Sequence, residues 1–273
     1  MNDKTSLMRS LVDELNQASY AYYNGKGEQM TDFEWDAKFD QLKKLEEETG
    51  EILPDSPTQK VSEDNLSGGQ KEEHEFAALS LAKTKQVSDL VKWAEDRPIW
   101  ISWKLDGLTL VVTYDNGKLI KIVTRGNGHI GTNISYLAGA INGIPMQIKE
   151  KGHLVVRGEA VISYADFEQF IIESEGDYAN PRNLASGSLA LHDSNEVKQR
   201  HIQWIPFTLV YTERDITSWG ERMQMLQDLG FNPVERERID QPTTENIQAE
   251  IDKFTEKVTS KSNPFPVDGL VIC

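Results

Sequence analysis

The sequence predicts an α+β protein, with a small helical piece at the N-terminus and a larger domain of largely antiparallel sheets flanked by helices. Three observations predict it. Two amphipathic helical stripes open the chain. From Ile99 the pattern turns β-rich around a strong hairpin signal, Asn116-Gly117. Beyond that, strands and helices mix irregularly, with no internal repeat and no regular strand–helix alternation.

Each element has its own signal. Leu7, Leu11, Leu15, Ala18 and Tyr22 recur at helical spacing and predict the first helix, which Asn24-Gly25-Lys26-Gly27 breaks. Thr31 and Glu34 form a capping box, with Asp32 in the favourable first turn. Trp35, Phe39, Leu42 and Leu45 supply the second stripe, and Gly50 is suited to end it. Pro54-Asp55-Ser56-Pro57-Thr58 reads as a rigid, extended turn. Residues 62–75 are polar and charged around Gly68-Gly69, which places a boundary between a domain at 1–66 and a second at 67–273.

In the second domain, Ile99 to Tyr114 is dense in β-formers, and Lys118 to Arg125 reads as the return strand of the hairpin. Leu154 to Ile162 predicts a further strand. Helices are expected over 165–173, 218–229 and 245–258. Ser218 and Glu221 make a second capping box, Gly230 a stop, and Ile247, Ile251, Phe254 and Val258 one helical face. Pro266 to Cys273 reads as the start of a buried strand, so the second domain is expected to be cut short there or completed by another polypeptide.

Composition narrows the function classes. The chain has 273 residues, 38% hydrophobic and 27% charged, as expected of a globular protein. It has no apolar run near the roughly 18–20 residues that span a bilayer, and Met1 to Ser6 lacks a signal-peptide core, so a cytoplasmic protein is expected. The single cysteine, Cys273, permits no intrachain disulfide and no cysteine-based zinc site. The net charge of −15 is the opposite of a duplex-binding footprint, so tight DNA binding is expected to need more protein.

Four charged clusters beside strand ends or turns carry candidate chemistry. Lys104-Leu105-Asp106-Gly107 lies in an apolar strand pattern, and residues two apart on a strand share a face, so Lys104 and Asp106 are expected to project together. A lysine there is costly without a partner or a task; the tetrapeptide alone reads equally as an ion-paired edge lysine. Thr124-Arg125-Gly126-Asn127-Gly128 joins a cation to glycines that allow close approach of a ligand. Arg157-Gly158-Glu159 puts a charged pair on one strand face, and Asn180-Pro181-Arg182-Asn183 adds a third cation. Singly, each is more often a solvated charge or a turn.

In this order the clusters resemble the adenylation region of bacterial and phage-type NAD-dependent DNA ligases, from Tyr22 to Ile272. Lysine-x-Asp-Gly is shared with ATP-dependent relatives. Asp55-Ser56-Pro57-Thr58-Gln59, Asn180-Pro181-Arg182-Asn183 and Ala185-Ser186-Gly187-Ser188-Leu189 resemble the NAD-dependent branch more specifically. The resemblance implies a helical domain that holds the nicotinamide mononucleotide (NMN) half of NAD⁺, followed by an ATP-grasp-like nucleotidyltransferase domain. It implies Lys104 as the nucleophile that takes AMP from NAD⁺. Arg125 and Arg182 are expected at the nucleotide, Asp106 and Glu159 at the ribose and Mg²⁺ region without a predicted direct metal ligand, and Leu105, Gly107, Ser80, Leu81, Phe207 and Val271 around the adenosine. For the NMN half it implies Tyr22, Tyr23, Asp32, Trp35 and Asp36; aromatic faces and carboxylates suit a cationic ring and ribose hydroxyls. On the residues alone, Tyr22 and Trp35 read as core.

Several positions depart from the family pattern. Ser102 stands where a glutamate is usual, Tyr23 for histidine, Trp35 for tyrosine, Ala190 for arginine, and Cys273 for a phosphate-contacting lysine. The oligonucleotide-binding (OB) barrel, zinc module and helix-hairpin-helix domain of a full ligase are not in the sequence. An excised domain, or the large half of a split ligase whose second subunit carries those domains, is therefore expected, with nicked duplex DNA bound weakly or not at all by this chain alone. Two readings compete with ligation: an NAD⁺- or partner-binding module that no longer reacts, and an adenylyltransferase acting on something other than DNA.

Overall fold

The computed structural model describes residues 3–23, 29–58, 69–79, 81–174 and 178–273. The chain forms two compact units, Met1–Ser80 with Arg125–Thr132, and Leu81–Thr124 with Asn133–Cys273.

The first unit holds a helical hairpin, α1 (Asp3–Tyr23) and α2 (Asp32–Thr49). Its core is Met8, Leu11, Val12, Leu15 and Leu42, with Trp35, Phe39, Leu45 and Leu53 packed against it. Leu7, expected in the stripe, is 42% exposed; Met8 takes the inward position instead. Thr31 and Glu34 make the expected reciprocal capping box, and Gly50 closes α2 at φ 69°. The Pro54–Thr58 segment is a clasp rather than a plain turn. Ser56 and Thr58 hydroxyls each reach the buried Glu46 carboxylate at 2.5 Å. Arg9 Nη1 donates to both Asp55 carboxylate oxygens, at 2.8 and 2.7 Å, and Asn16 donates to the Asp55 carbonyl at 2.8 Å. The same unit contains a short antiparallel ribbon, β1 (Lys71–Glu73) on β5 (Ile130–Thr132).

The second unit carries two antiparallel sheets. One is β8 (Arg236–Ile239), β2 (Ile99–Leu105) and β9 (Val267–Ile272), in that order. The other runs β4 (Lys118–Thr124), β3 (Leu108–Asp115), β6 (Leu154–Val161) and β7 (Gln203–Thr212). Helices α3 (Val87–Ala94), α4 (Tyr164–Ser174), α5 (Pro181–Leu189), α6 (Ser194–Lys198), α7 (Trp219–Asp228) and α8 (Thr244–Thr259) complete it. The α+β class with antiparallel sheets is as the sequence predicts. The β3–β4 hairpin turns at Asn116 (φ 50°) and Gly117 (φ 76°), the backbone that an Asn-Gly pair favours.

The apolar run from Ile99 to Tyr114 does not form one strand. It breaks at Asp106-Gly107 into β2 and β3, which belong to different sheets. Lys104 and Asp106 therefore do not share a strand face, because Asp106 lies in the link beyond β2. Gly107 makes the crossing possible: a Cβ there would stand 2.2 Å from the Ala160 carbonyl oxygen of β6. The strand at the end of the chain forms as expected, but at a half-exposed sheet edge rather than in a core. Among the α8 face residues, Ile247 and Phe254 are buried whereas Val258 is 47% exposed. At α7, Ser218 accepts from the Glu221 amide at 3.5 Å, one half of the expected box. Among the described residues, no helix is long and apolar enough to cross a membrane.

Candidate active site

Lys104 sits next to the end of β2, opposite Gly269 of β9. The next pair is Leu105 with Val267, so Asp268 is an extra residue in the β9 edge, a bulge with Gly269 at φ 148°. The bulge aims the Asp268 carboxylate at the Lys104 ammonium, and the two are in direct contact. Asp268 is the site residue that the sequence reading left out. Its signal was Asp268-Gly269, which repeats the Asp-Gly of the lysine motif on the paired strand.

The link after Lys104 is tied down on both sides. The Asp106 amide donates to the Pro266 carbonyl at 2.9 Å, and Arg182, in the first turn of α5, donates to Asp106 Oδ1 at 2.5 Å. That pair is largely sheltered, with side chains 14% and 23% exposed. Asn180 sets the geometry. It caps α5 by accepting from the Asn183 amide at 2.8 Å, and Pro181 occupies the first helical turn. Glu159, buried on β6, accepts from the Gly107 amide at 3.2 Å and from Thr109 Oγ1 at 2.8 Å. Between Arg157 and Glu159, Gly158 makes room for the buried Trp204 ring, 2.5 Å from where its Cβ would be.

Burial and neighbouring cations lower the Lys104 pKa from the ordinary lysine value, while the carboxylates around it, Asp268 in contact among them, favour the ammonium. Burial lowers its pKa first, and the neighbouring cation Lys83 lowers it further. Asp106 and Glu159 oppose that, and Arg182 adds to it. The side chain is still 45% exposed, so its desolvation is partial and its tip is open to a ligand.

The structure therefore gathers Lys104, Asp106, Glu159 and Arg182 of the predicted site, with Leu105 and Gly107 beside them. Val271 lies opposite Ser102 on the neighbouring strand and is half-buried. Phe207 is a bulged residue of β7, between the partners of Arg157 and Gly158, and is also half-buried. Leu81 is 67% exposed. Ser80 and the side chains of Tyr22, Tyr23, Asp32 and Asp36 lie outside the described residues. Trp35 stacks on Phe39, ring centroids 4.9 Å apart, and donates to Ser19 Oγ at 3.1 Å. Arg125 belongs to the first unit, where its carbonyl meets His74 Nε2 at 3.0 Å. Gly126 there is fixed by the turn itself: at φ 56°, a Cβ would lie 1.9 Å from the Ile130 carbonyl oxygen.

Of the departures, Ser102 is buried on β2. The Cys273 backbone pairs both ways with Trp100, at 2.8 and 2.9 Å. Burial pushes its thiol up to about 11, so at neutral pH it is an uncharged group and no substitute for a cation. No cluster of three or more His, Cys, Asp or Glu side chains suited to a metal occurs among the described residues. Asp106 is engaged by Arg182, and Glu159 by an amide and a hydroxyl. These residues do not make a protein cage for Mg²⁺.

Comparison with known proteins identifies the family. Residues 70–273 match the NAD-dependent DNA ligase adenylation domain, and residues 1–62 the DNA ligase-like N-terminal NAD⁺-binding domain. The chain is 40% identical to a DNA ligase of Lachnoclostridium phytofermentans, covering 100% of this chain and 42% of the relative. It is 39% identical to a DNA ligase of Ruminiclostridium cellulolyticum, covering 100% of this chain and 41% of that protein. A DNA ligase of Leptospira biflexa is 33% identical over 96% of this chain and 40% of its own length. The chain thus spans about two-fifths of the curated relatives it matches. With family matches over residues 1–62 and 70–273, this chain belongs to the NAD-dependent DNA ligase adenylation family.

Proposed function

We propose that this chain carries out the first half-reaction of NAD⁺-dependent DNA ligation. The Lys104 amine attacks the α-phosphorus of NAD⁺, a phosphorus–nitrogen bond forms, the pyrophosphate bond to NMN breaks, and AMP remains on Lys104. The observation that carries this reading is the lysine at the end of β2, half open to solvent, with its pKa lowered and an acceptor, Asp268, in contact. Asp268 is placed to receive the ammonium proton. Arg182 supplies a fork for phosphate oxygens. Glu159, fixed by Gly107 and Thr109, faces the ribose. Residues 1–66 act as the NMN-binding domain, with Tyr22, Tyr23, Asp32, Trp35 and Asp36 at the NMN half and Arg125 at the phosphates. Residues 67–273 act as the nucleotidyltransferase domain. Mg²⁺, when bound, would neutralise charge on the phosphates, with Asp106 and Glu159 among the carboxylates around Lys104. The AMP then passes to the 5′-phosphate of nicked DNA, a step that needs the further domains of a full ligase, on this chain or on a partner.

The test is intact-protein mass after incubation with NAD⁺ and Mg²⁺, beside an ATP control and Lys104→Ala. A gain of one AMP with NAD⁺ only, lost in Lys104→Ala, is expected. No gain after removal of any AMP carried from expression would overturn the reading and leave an NAD⁺-binding module.

A further inference from the structure

Arg200 is a buried cation that the adenylation chemistry does not use. Its side chain is 8% exposed. It follows α6, yet its guanidinium reaches three other parts of the second unit. Nη1 donates to Ser188 Oγ on α5 at 3.1 Å and lies 3.5 Å from the Tyr178 hydroxyl. Nη2 donates to Glu196 of α6 at 2.6 Å. The cation stands 5.0 Å over the Phe170 ring of α4. A buried guanidinium is costly unless its donors are paired; Nη1 and Nη2 are paired, whereas the buried Nε has no hydrogen-bond partner among the described residues, so the cluster is fastened through the two outer nitrogens.

The cluster explains the small residues of Ala185-Ser186-Gly187-Ser188-Leu189. A Cβ at Gly187 would lie 2.9 Å from the Tyr178 ring. Ser188 accepts from Arg200 and donates to the Leu184 carbonyl at 2.5 Å. Ser188 and Arg182 are on the same nine-residue helix, α5. Six residues at ~1.5 Å of rise separate them by about 9 Å, a distance over which one helix behaves as a rigid rod. One end of α5 is fastened by Arg200, and the other holds Asp106 through Arg182.

We propose that Arg200 is a positioning residue for the adenylation centre: it anchors α5 so that Arg182 holds Asp106 beside Lys104. The kinetic consequence rests on Lys104 being the nucleophile; the anchoring does not.

The experiment compares the 273-residue chain with Arg200→Lys, which keeps the charge and loses the fork, and with Ser188→Ala, a smaller change that removes the bonds to Arg200 and to the Leu184 carbonyl but leaves the guanidinium on Glu196, and so keeps the proposal testable if the first variant fails to fold. Crystal structures read the anchor. The Arg182–Asp106 pair is expected to open in the variants; an unchanged pair overturns the proposal. Single-turnover adenylation at saturating NAD⁺ reads the consequence, in the parent and in an Arg182→Ala background. The variants are expected to lose roughly ten- to a hundredfold in rate in the parent, as small misplacements at a reacting centre do. In the Arg182→Ala background the same changes are expected to cost less than about twofold, because the coupling runs through Arg182. An equal loss in both backgrounds would show general loosening of the fold and overturn the proposal. If the parent gains no AMP at all, the nucleophile assignment fails, and the crystal structures still decide whether Arg200 sets the position of Arg182.

Discussion

At the scale of single residues, the charge around Lys104 is what separates it from a surface lysine. A protonated amine has no lone pair to attack phosphorus, so the reactive fraction grows as pH rises toward the pKa. Burial and Lys83 place that pKa below the ordinary lysine value, while Asp106 and Glu159 act the other way. Below the pKa, the single-turnover rate of adenylation is expected to climb about tenfold per pH unit and then level off. Replacing Lys83 with Gln removes a neighbouring cation, so the Lys104 pKa rises and the limb moves to higher pH. The rate at neutral pH then falls while the plateau is kept. Rapid-quench rates across pH check this, and a limb that stays in place or moves down would contradict it. A second residue-scale prediction concerns Ser56, which is fully buried against the Glu46 carboxylate. Ser56→Ala leaves a buried charged acceptor short of one donor, at a cost of about 1–3 kcal/mol. Urea denaturation followed by helix signal measures it, and a change under about 0.5 kcal/mol would mean that water replaces the hydroxyl.

At the scale of elements, the turn between β2 and β3 decides the architecture. Gly107→Ala would drive a methyl into the Ala160 carbonyl of β6, a backbone atom with no rotamer to yield. We expect a loss of more than about 2 kcal/mol, as for other overpacked core sites, and a displaced Lys104 at the end of the adjoining strand. Thermal unfolding of this variant beside Gly139→Ala, where a Cβ meets nothing within 4 Å, separates the clash from the general effect of losing a glycine. This turn also marks where the sequence stopped being legible. The capping box at Thr31 and Glu34, the Asn116-Gly117 hairpin, the α7 and α8 helices and the α+β class were all readable, because each rests on local chemistry. The run from Ile99 to Tyr114 was not, because both strands are apolar and nothing local says that they enter different sheets. The same holds for β7 and for the short strand β8, whose partners are distant in sequence. Within the site, Lys104, Asp106, Glu159 and Arg182 were legible as charges in unusual settings. Asp268 was not, because a bulge in β9 turns it toward Lys104, and a bulge is set by strand pairing rather than by composition.

At the scale of the whole molecule, the charge balance bears on two demands that ligation makes. Adenylation needs a small pocket and a nucleotide; sealing needs a grip on duplex DNA. Forty-four acidic side chains stand against 29 basic ones, and some of the basic ones are engaged within the protein: Arg9 on Asp55, and Arg200 on Glu196 and Ser188. The excess of carboxylates repels the phosphate backbone and opposes the displacement of counterions from it, the sequence-independent source of DNA affinity. The 273-residue chain is therefore expected to bind a nicked duplex no more tightly than the non-specific range of about 10⁻⁴–10⁻⁶ M at physiological salt. Lowering the salt is expected to gain it little, because the slope scales with the number of phosphates neutralised. Fluorescence anisotropy on a labelled nicked duplex across a salt series measures both. Joining the chain to the remaining part of the Lachnoclostridium phytofermentans relative is expected to steepen the slope and tighten binding, while NAD⁺-dependent AMP gain by the shorter chain stays comparable. Sub-micromolar binding by the 273-residue chain alone would mean that a basic face is concealed within the acidic average, and that this chain grips DNA by itself.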